Sequence, residues 1–151
     1  MSGSGKSAVI RELTTRGHRA IDTDWDPEWE APDPDSDGPG WLWREDRIEQ
    51  LLAGAGDAAL YIGACVENQG RFYSHFDHIV LLSSSEELTR QRLATRTTNP
   101  YGRSEQQVEE VLRFKATVEP LLRRSATLEI DTAAPLDDVV DRLVQLVREQ
   151  P

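Results

Sequence analysis

The chain opens Met1-Ser2-Gly3-Ser4-Gly5-Lys6-Ser7 and runs at once into "AVIRELTTRG", where Val9, Ile10 and Leu13 recur at helical spacing. A glycine-rich turn, a lysine and a hydroxyl residue at the mouth of an amphipathic helix fit the pattern G-x-x-x-x-G-K-[ST], with Gly5, Lys6 and Ser7 on its last three places. Such a loop hangs between a strand and a helix, because backbone N–H groups at the helix N-terminus close around anionic oxygens. That requirement narrows the fold to an α/β layout before any other residue is read. The first glycine of the pattern would fall one residue ahead of Met1, and the strand that carries it wholly upstream. A natural start upstream of Met1 is therefore expected.

With 151 residues, the chain suits one compact domain over 1–151. Its net charge of -10 argues against nucleic-acid partners, since no stripe of Lys and Arg overrides it. A nucleotide escapes that argument, because backbone amides, one lysine, a few arginines and a metal ion suffice to hold it. The single Cys65 leaves no internal disulfide framework and no multi-thiolate zinc site. No apolar run reaches membrane-spanning length and no basic-then-apolar leader opens the chain, so no membrane partner and a cytoplasmic location are expected.

Further along, "HRAIDTD" reads as a short strand ending in Asp22 and Asp24, placed on one side by strand alternation. The stretch "DPEWEAPDPDSDGPG", with four prolines and two glycines, reads as an acidic loop over about 26–40 without regular structure. "WLWREDRIEQLLAG" resumes helical spacing from Trp41, and "AALYIGA" suits a strand buried on both faces. "DHIVLLS" and "ATLEID" are further strands, which makes four in all. Ser84 with Glu87, and Ser104 with Gln107, form capping pairs that start two helices, and Pro120 is expected to kink or break the second. A terminal helix from Pro135 turns Leu136, Val139, Val140, Leu143 and Leu146 or Val147 inward. Strands alternating with helices imply a mainly parallel sheet between helical layers, a three-layer α/β/α arrangement whose first strand lies outside the chain.

In that frame Lys6 reaches the β- and γ-phosphates, Ser7 holds Mg²⁺, and the backbone from Gly3, Ser4 and Gly5 to Ala8 wraps the phosphates. Asp22 and Asp24 either cap the neighbouring turn or serve the chemistry, Asp22 in the metal shell and Asp24 as the base for an acceptor hydroxyl. Trp25, Trp29, Trp41 and Trp43 either pack the proline-rich loop down or wall an acceptor pocket. Asn68, Gln69 and Arg71 follow the third strand, at the rim where acceptors bind in α/β sheets. Cys65 reads as a small buried turn residue.

"SGSGKS", "DTD", the arginine of "WRED", "IGACVENQG" and "RLATRTTNPYGR" together resemble the small P-loop kinases of the shikimate, gluconate and adenylate kinase group, over nearly the whole chain. Within that group the likeness is to actinobacterial ATP-binding proteins. The resemblance implies a nucleoside/shikimate kinase-like P-loop fold, with ATP and Mg²⁺ as cofactors and phosphoryl transfer to a small hydroxylated or anionic metabolite. It implies a lid over about 97–104 bringing Arg96 and Arg103 to the transferring phosphate, with Arg92 a lesser candidate. Arg44 resembles the arginine with which shikimate kinases hold their substrate. The pattern departs from those enzymes at Arg47, where they carry a glutamate, and at Gly63, Ala64 and Cys65, where they carry three glycines. Asp131 and Thr132, after the last strand, are candidates for the nucleotide base pocket. The alternatives are a nucleotide-binding ATPase or switch module without a metabolite acceptor, and a truncated form lacking activity.

Overall fold

A computed structural model describes residues 2–38, 40–97 and 100–149. The chain divides into two compact units, one formed by the segment up to Lys6 with His78–Leu146, the other by Ser7–Asp77 with the residues from Val147 onward. Among the described residues there are six strands and five α-helices, and no helix is long and apolar enough to cross a membrane.

Helix α1 (Lys6–Thr15) buries Val9, Ile10 and Leu13, as the periodicity requires. It stops at Gly17, whose φ of 84° few side chains tolerate. The Gly17 amide donates to Thr14 and the His18 amide to Leu13, each at 3.0 Å. That pairing is a Schellman closure, which satisfies carbonyls the helix end would leave orphaned.

In the unit containing Ser7–Asp77, strand β1 (Arg19–Asp22) runs parallel to β4 (Leu60–Gly63), with Arg19 opposite Leu60 and Asp22 opposite Gly63. The proline-rich segment is not wholly irregular: β2 (Glu30–Pro32) and β3 (Trp41–Trp43) form an antiparallel hairpin. Pro32 is tolerated at the end of so short a ladder, where few partners need its missing N–H. Trp41–Trp43 is accordingly strand, and helix α2 begins only at Glu45, running to Ala53. Strand β4 is half-buried over Leu60–Ile62 rather than covered on both faces, consistent with a ladder of two strands. A 3₁₀ helix, Gln69–His75, fills the segment between β4 and the next strand.

The core of this unit gathers Trp43, Ile48, Val66 and Phe72, with Trp29, Trp41, Leu52, Ile62 and Phe76 packed around them. Trp43 and Phe72 meet edge to face at 5.6 Å. The Trp43 indole N–H donates to Thr23 Oγ1 at 2.9 Å, and that hydroxyl donates to the Gly63 carbonyl at 3.0 Å. Thr23 is fully buried, so the network ties the β1 turn, the hairpin and the end of β4 at one point.

In the other unit, β5 (Val80–Ser83) runs parallel to β6 (Leu128–Asp131). Helix α3 (Glu86–Thr95) is capped by Ser85, whose Oγ accepts from the Leu88 amide at 3.1 Å. The cap is thus one residue later than Ser84, because Ser84 Oγ pairs instead with Thr89 Oγ1 at 2.9 Å. Helix α4 (Glu105–Ser125) starts at Ser104 as the sequence implies, with Ser104 Oγ accepting from the Gln107 amide. It continues through Pro120 without a break. A proline deletes one intrahelical bond, and the flanking turns of a long helix outweigh that loss of about 3 kcal/mol. Helix α5 (Leu136–Arg148) buries Val139, Val140 and Leu143, while Leu136, at its first position, is 40% exposed and Val147 37%.

Near the end of α4, Arg123 grips Glu129 of β6 through Nε at 2.7 Å and Nη2 at 2.9 Å, and also donates to Glu119 at 2.8 Å. These bonds hold the Glu129 carboxyl well below its ordinary 4.5, at about 2, against a smaller opposing push from desolvation. A carboxyl whose pKa falls on folding contributes stability above its unfolded value, and that contribution disappears as pH falls through the folded value. Two predictions follow from these contacts. The melting-temperature gap between wild type and Glu129→Gln is present above pH 4.5 and closes between pH 4.5 and about 2, as scanning calorimetry across that window would read. Thr23→Val, which leaves the Trp43 indole N–H buried without its acceptor, costs about 1–3 kcal/mol of unfolding free energy in urea titration.

Candidate functional site

Gly3 and Gly5 both adopt left-handed backbone, with φ of 78° and 87°. Space closes the argument at Gly3, where a β-carbon would lie 2.9 Å from Thr89 Cγ2. The two glycines let the chain coil before α1 begins at Lys6, and no acidic side chain occupies the first turn of that helix. The positive end of the helix dipole therefore meets no carboxylate of its own turn, which suits an anion.

Behind the coil stands a hydrogen-bonded floor in the same unit. Arg92 Nη1 donates to the Gly3 carbonyl at 3.1 Å and to Thr132 Oγ1 at 2.7 Å, while Nη2 donates to the Thr132 carbonyl at 2.6 Å. Thr132 Oγ1 lies 2.9 Å from both the Ser4 and the Ser83 carbonyl oxygens. Ser4 and Thr132 are each 5% exposed. Burial lowers the Arg92 pKa and the Asp131 carboxylate opposes that shift, yet a guanidinium stays charged in either case. Asp131 itself accepts from the Ala133 amide at 2.9 Å, turning the chain after β6.

In the other unit, Ser7 Oγ donates to Asp22 Oδ2 at 2.6 Å. A hydroxyl and a carboxylate oxygen in contact are the donor set that a hard cation such as Mg²⁺ takes, so the residues fit that ion. Asp24 sits two residues on, beyond the end of β1, and its Oδ1 accepts from the Cys65 amide at 3.0 Å. That bond fixes one carboxylate oxygen against the segment after β4. Cys65 is a half-buried free thiol. Next in sequence, Trp25 is held at φ 65°, is 64% exposed and meets Trp41 edge to face at 5.4 Å. Its amide donates to the buried Glu30 at 3.0 Å, which secures this uncommon backbone.

The rim residues are mostly engaged in holding the fold. Asn68 Oδ1 accepts from the Trp43 amide at 2.8 Å and its Nδ2 donates to the Trp43 carbonyl at 3.0 Å, so the side chain continues the edge of β3. Gln69 accepts from the Val66 amide and donates to the Tyr73 hydroxyl. Arg71 reaches outward to Glu45 at 2.6 Å, its side chain 72% exposed. Arg44 is exposed at the start of α2 and donates to the Pro27 carbonyl at 3.2 Å, while Arg47 pairs with Glu28 at 2.6 Å.

Of the expected lid, Thr98 and Asn99 lie outside the described residues. Arg96 donates to the Tyr101 carbonyl, and its Nε is buried without a hydrogen-bond partner among the described residues. Burial lowers its pKa. Arg103 is exposed. Sequence reading names Arg92 and Thr132 separately, as a lesser lid arginine and a base-pocket residue, and misses their contact because they stand 40 positions apart and no spacing rule links them.

No protein-family model matches the chain, and no curated protein matches it significantly. Solved structures do match. Among them is shikimate kinase from Acinetobacter baumannii in complex with shikimate, at 18% sequence identity and a TM-score of 0.65, over 97% of this chain and 88% of that one. At that identity the likeness is one of fold alone: the chain shares the α/β fold of that structure.

Proposed function

We propose that this protein is an Mg²⁺-dependent phosphotransferase that moves the γ-phosphoryl of ATP to a hydroxyl of a small metabolite. The observation that carries the reading is the Ser7–Asp22 contact of 2.6 Å, directly after a doubly left-handed glycine coil at a helix mouth, in a chain with a P-loop kinase fold. Ser7 and Asp22 would hold Mg²⁺, which when bound neutralises charge on the phosphates. The amides of the coil bind phosphate oxygens, and Lys6 adds one positive charge at the transferring group. Asp24, oriented by the Cys65 amide, accepts the proton of the acceptor hydroxyl. Arg96 and Arg103 act from the lid, where they neutralise charge and exclude water.

The acceptor lies by Asp24, with Trp25 and Trp41 as its apolar wall and with Arg44 and Arg71 as polar contacts. Asn68 and Gln69 shape that rim through the backbone bonds they make, and Asp131 with Thr132 borders the nucleotide side. No nucleic acid or membrane enters this scheme, and the cell compartment that suits it is the cytoplasm.

Lys6→Ala lowers ATP turnover, read as ADP release, by roughly 100-fold or more while the circular dichroism spectrum is retained. Undiminished turnover in that variant overturns the mechanism. Ser7→Ala raises the Mg²⁺ concentration needed for half-maximal ATP binding, measured by calorimetry at fixed ATP; an unchanged Mg²⁺ requirement removes Ser7 from the metal shell. ADP release that rises with one member of a metabolite panel identifies a kinase, and release indifferent to every acceptor identifies an ATPase or switch instead.

A further inference from the structure

We infer that Arg92 is a positioning residue which, through Thr132, sets the direction of the phosphate-loop amides from behind and touches neither phosphate nor base. The inference rests on the nucleotide reading above and adds a role that the lid analogy does not give. A peptide unit is planar and trans, so its carbonyl and its N–H point to opposite sides. The Gly3 carbonyl shares a plane with the Ser4 N–H, and the Ser4 carbonyl shares one with the Gly5 N–H. Arg92 Nη1 binds the first carbonyl at 3.1 Å, and Thr132 Oγ1 meets the second at 2.9 Å. Both carbonyls are thereby drawn toward β5, β6 and α3, and the Ser4 and Gly5 amides are turned the other way.

The strut is rigid for reasons of valence. Thr132 Oγ1 has one hydrogen to share between the Ser4 and Ser83 carbonyls, and one of its two lone pairs accepts from Arg92 at 2.7 Å. The second guanidinium arm binds the Thr132 carbonyl at 2.6 Å, so the planar fork spans both ends of one residue. A lysine carries the same charge but has no fork with which to bridge these sites. Packing agrees with the bonding: a β-carbon on Gly5 would stand 3.4 Å from Arg92 Nη1 and 3.7 Å from Thr132 Oγ1.

Two ligands separate this role from its rivals, namely ATP and inorganic tripolyphosphate, titrated calorimetrically in Mg²⁺ buffer against the full chain. Arg92→Gln, Arg92→Lys and Thr132→Val each weaken both ligands by the same factor, roughly 10-fold or more. Thr132→Ser, which keeps the hydroxyl, recovers most of the affinity that Thr132→Val loses. The double variant Arg92→Gln/Thr132→Val is little worse than Arg92→Gln alone, since both break one strut. Near-UV circular dichroism confirms packing in each variant, and the Ser/Val pair at 132 serves should the Arg92 variants fail to fold. Loss of ATP affinity with tripolyphosphate unaffected places Arg92 on the nucleoside and overturns the inference, as does full affinity in Arg92→Lys, which would reduce the role to charge. Wild-type protein that binds neither ligand defeats the nucleotide reading itself, whereas wild-type binding with unchanged variants defeats only the strut.

Discussion

Left-handed backbone at Gly3 and Gly5 is the constraint on which the candidate site depends. For any residue with a β-carbon, that conformation costs on the order of 1–2 kcal/mol, and at Gly3 the carbon would also meet Thr89. Glycine removes both objections but leaves the coil conformationally free, since no side chain restricts it. The freedom is taken up by bonds from outside the coil: Arg92 and Thr132 hold its carbonyls, and helix α1 continues from its last residue. A loop that owes its shape to partners far along the chain is pre-organised only once those partners have folded.

A similar economy governs the hairpin unit. Trp43 contributes its ring to the apolar cluster, its indole N–H to Thr23 and its backbone amide and carbonyl to Asn68. Buried polar groups are tolerated there because each finds a partner of complementary kind. The same density of obligations leaves Asn68 and Gln69 little capacity for an outside ligand, while Arg71 and Arg44 keep exposed guanidinium groups. In the proposed site, contact with an acceptor at the rim is therefore assigned to the arginines, Asp24 and the exposed face of Trp25.

Helix α1 was readable because Val9, Ile10 and Leu13 repeat at the helical period and Gly17 closes the end, both local signals. The parallel orientation seen in β1–β4 and β5–β6 followed from alternation of strand with helix, whereas which strands pair did not. The β2–β3 hairpin did not, since its strands are three residues each and proline-rich surroundings mask them. Three serines in a row, Ser83 to Ser85, made the cap of α3 ambiguous by one residue, and only the competing bond from Ser84 to Thr89 decides it. In the site, the proximity of Ser7 to Asp22 was legible because loop and strand are joined by one short helix. The bonds of Asn68 to Trp43 and of Arg92 to Thr132 were not, for they span 25 and 40 residues and no spacing rule links them.

The four tryptophans occupy such different surroundings that the protein carries its own optical labels. The indole of Trp43 is sealed in the core and bonded to a hydroxyl, whereas that of Trp25 stands mostly in water beside the candidate base Asp24. Burial is expected to shield emission from the first against dissolved quenchers and shift it to short wavelength, and exposure to leave emission from the second long-wavelength and open to collision. A molecule settling over Asp24 in the proposed site would meet Trp25 and its ring partner Trp41 before the buried Trp43, so a change confined to the long-wavelength emission is the optical signature of an occupied acceptor position.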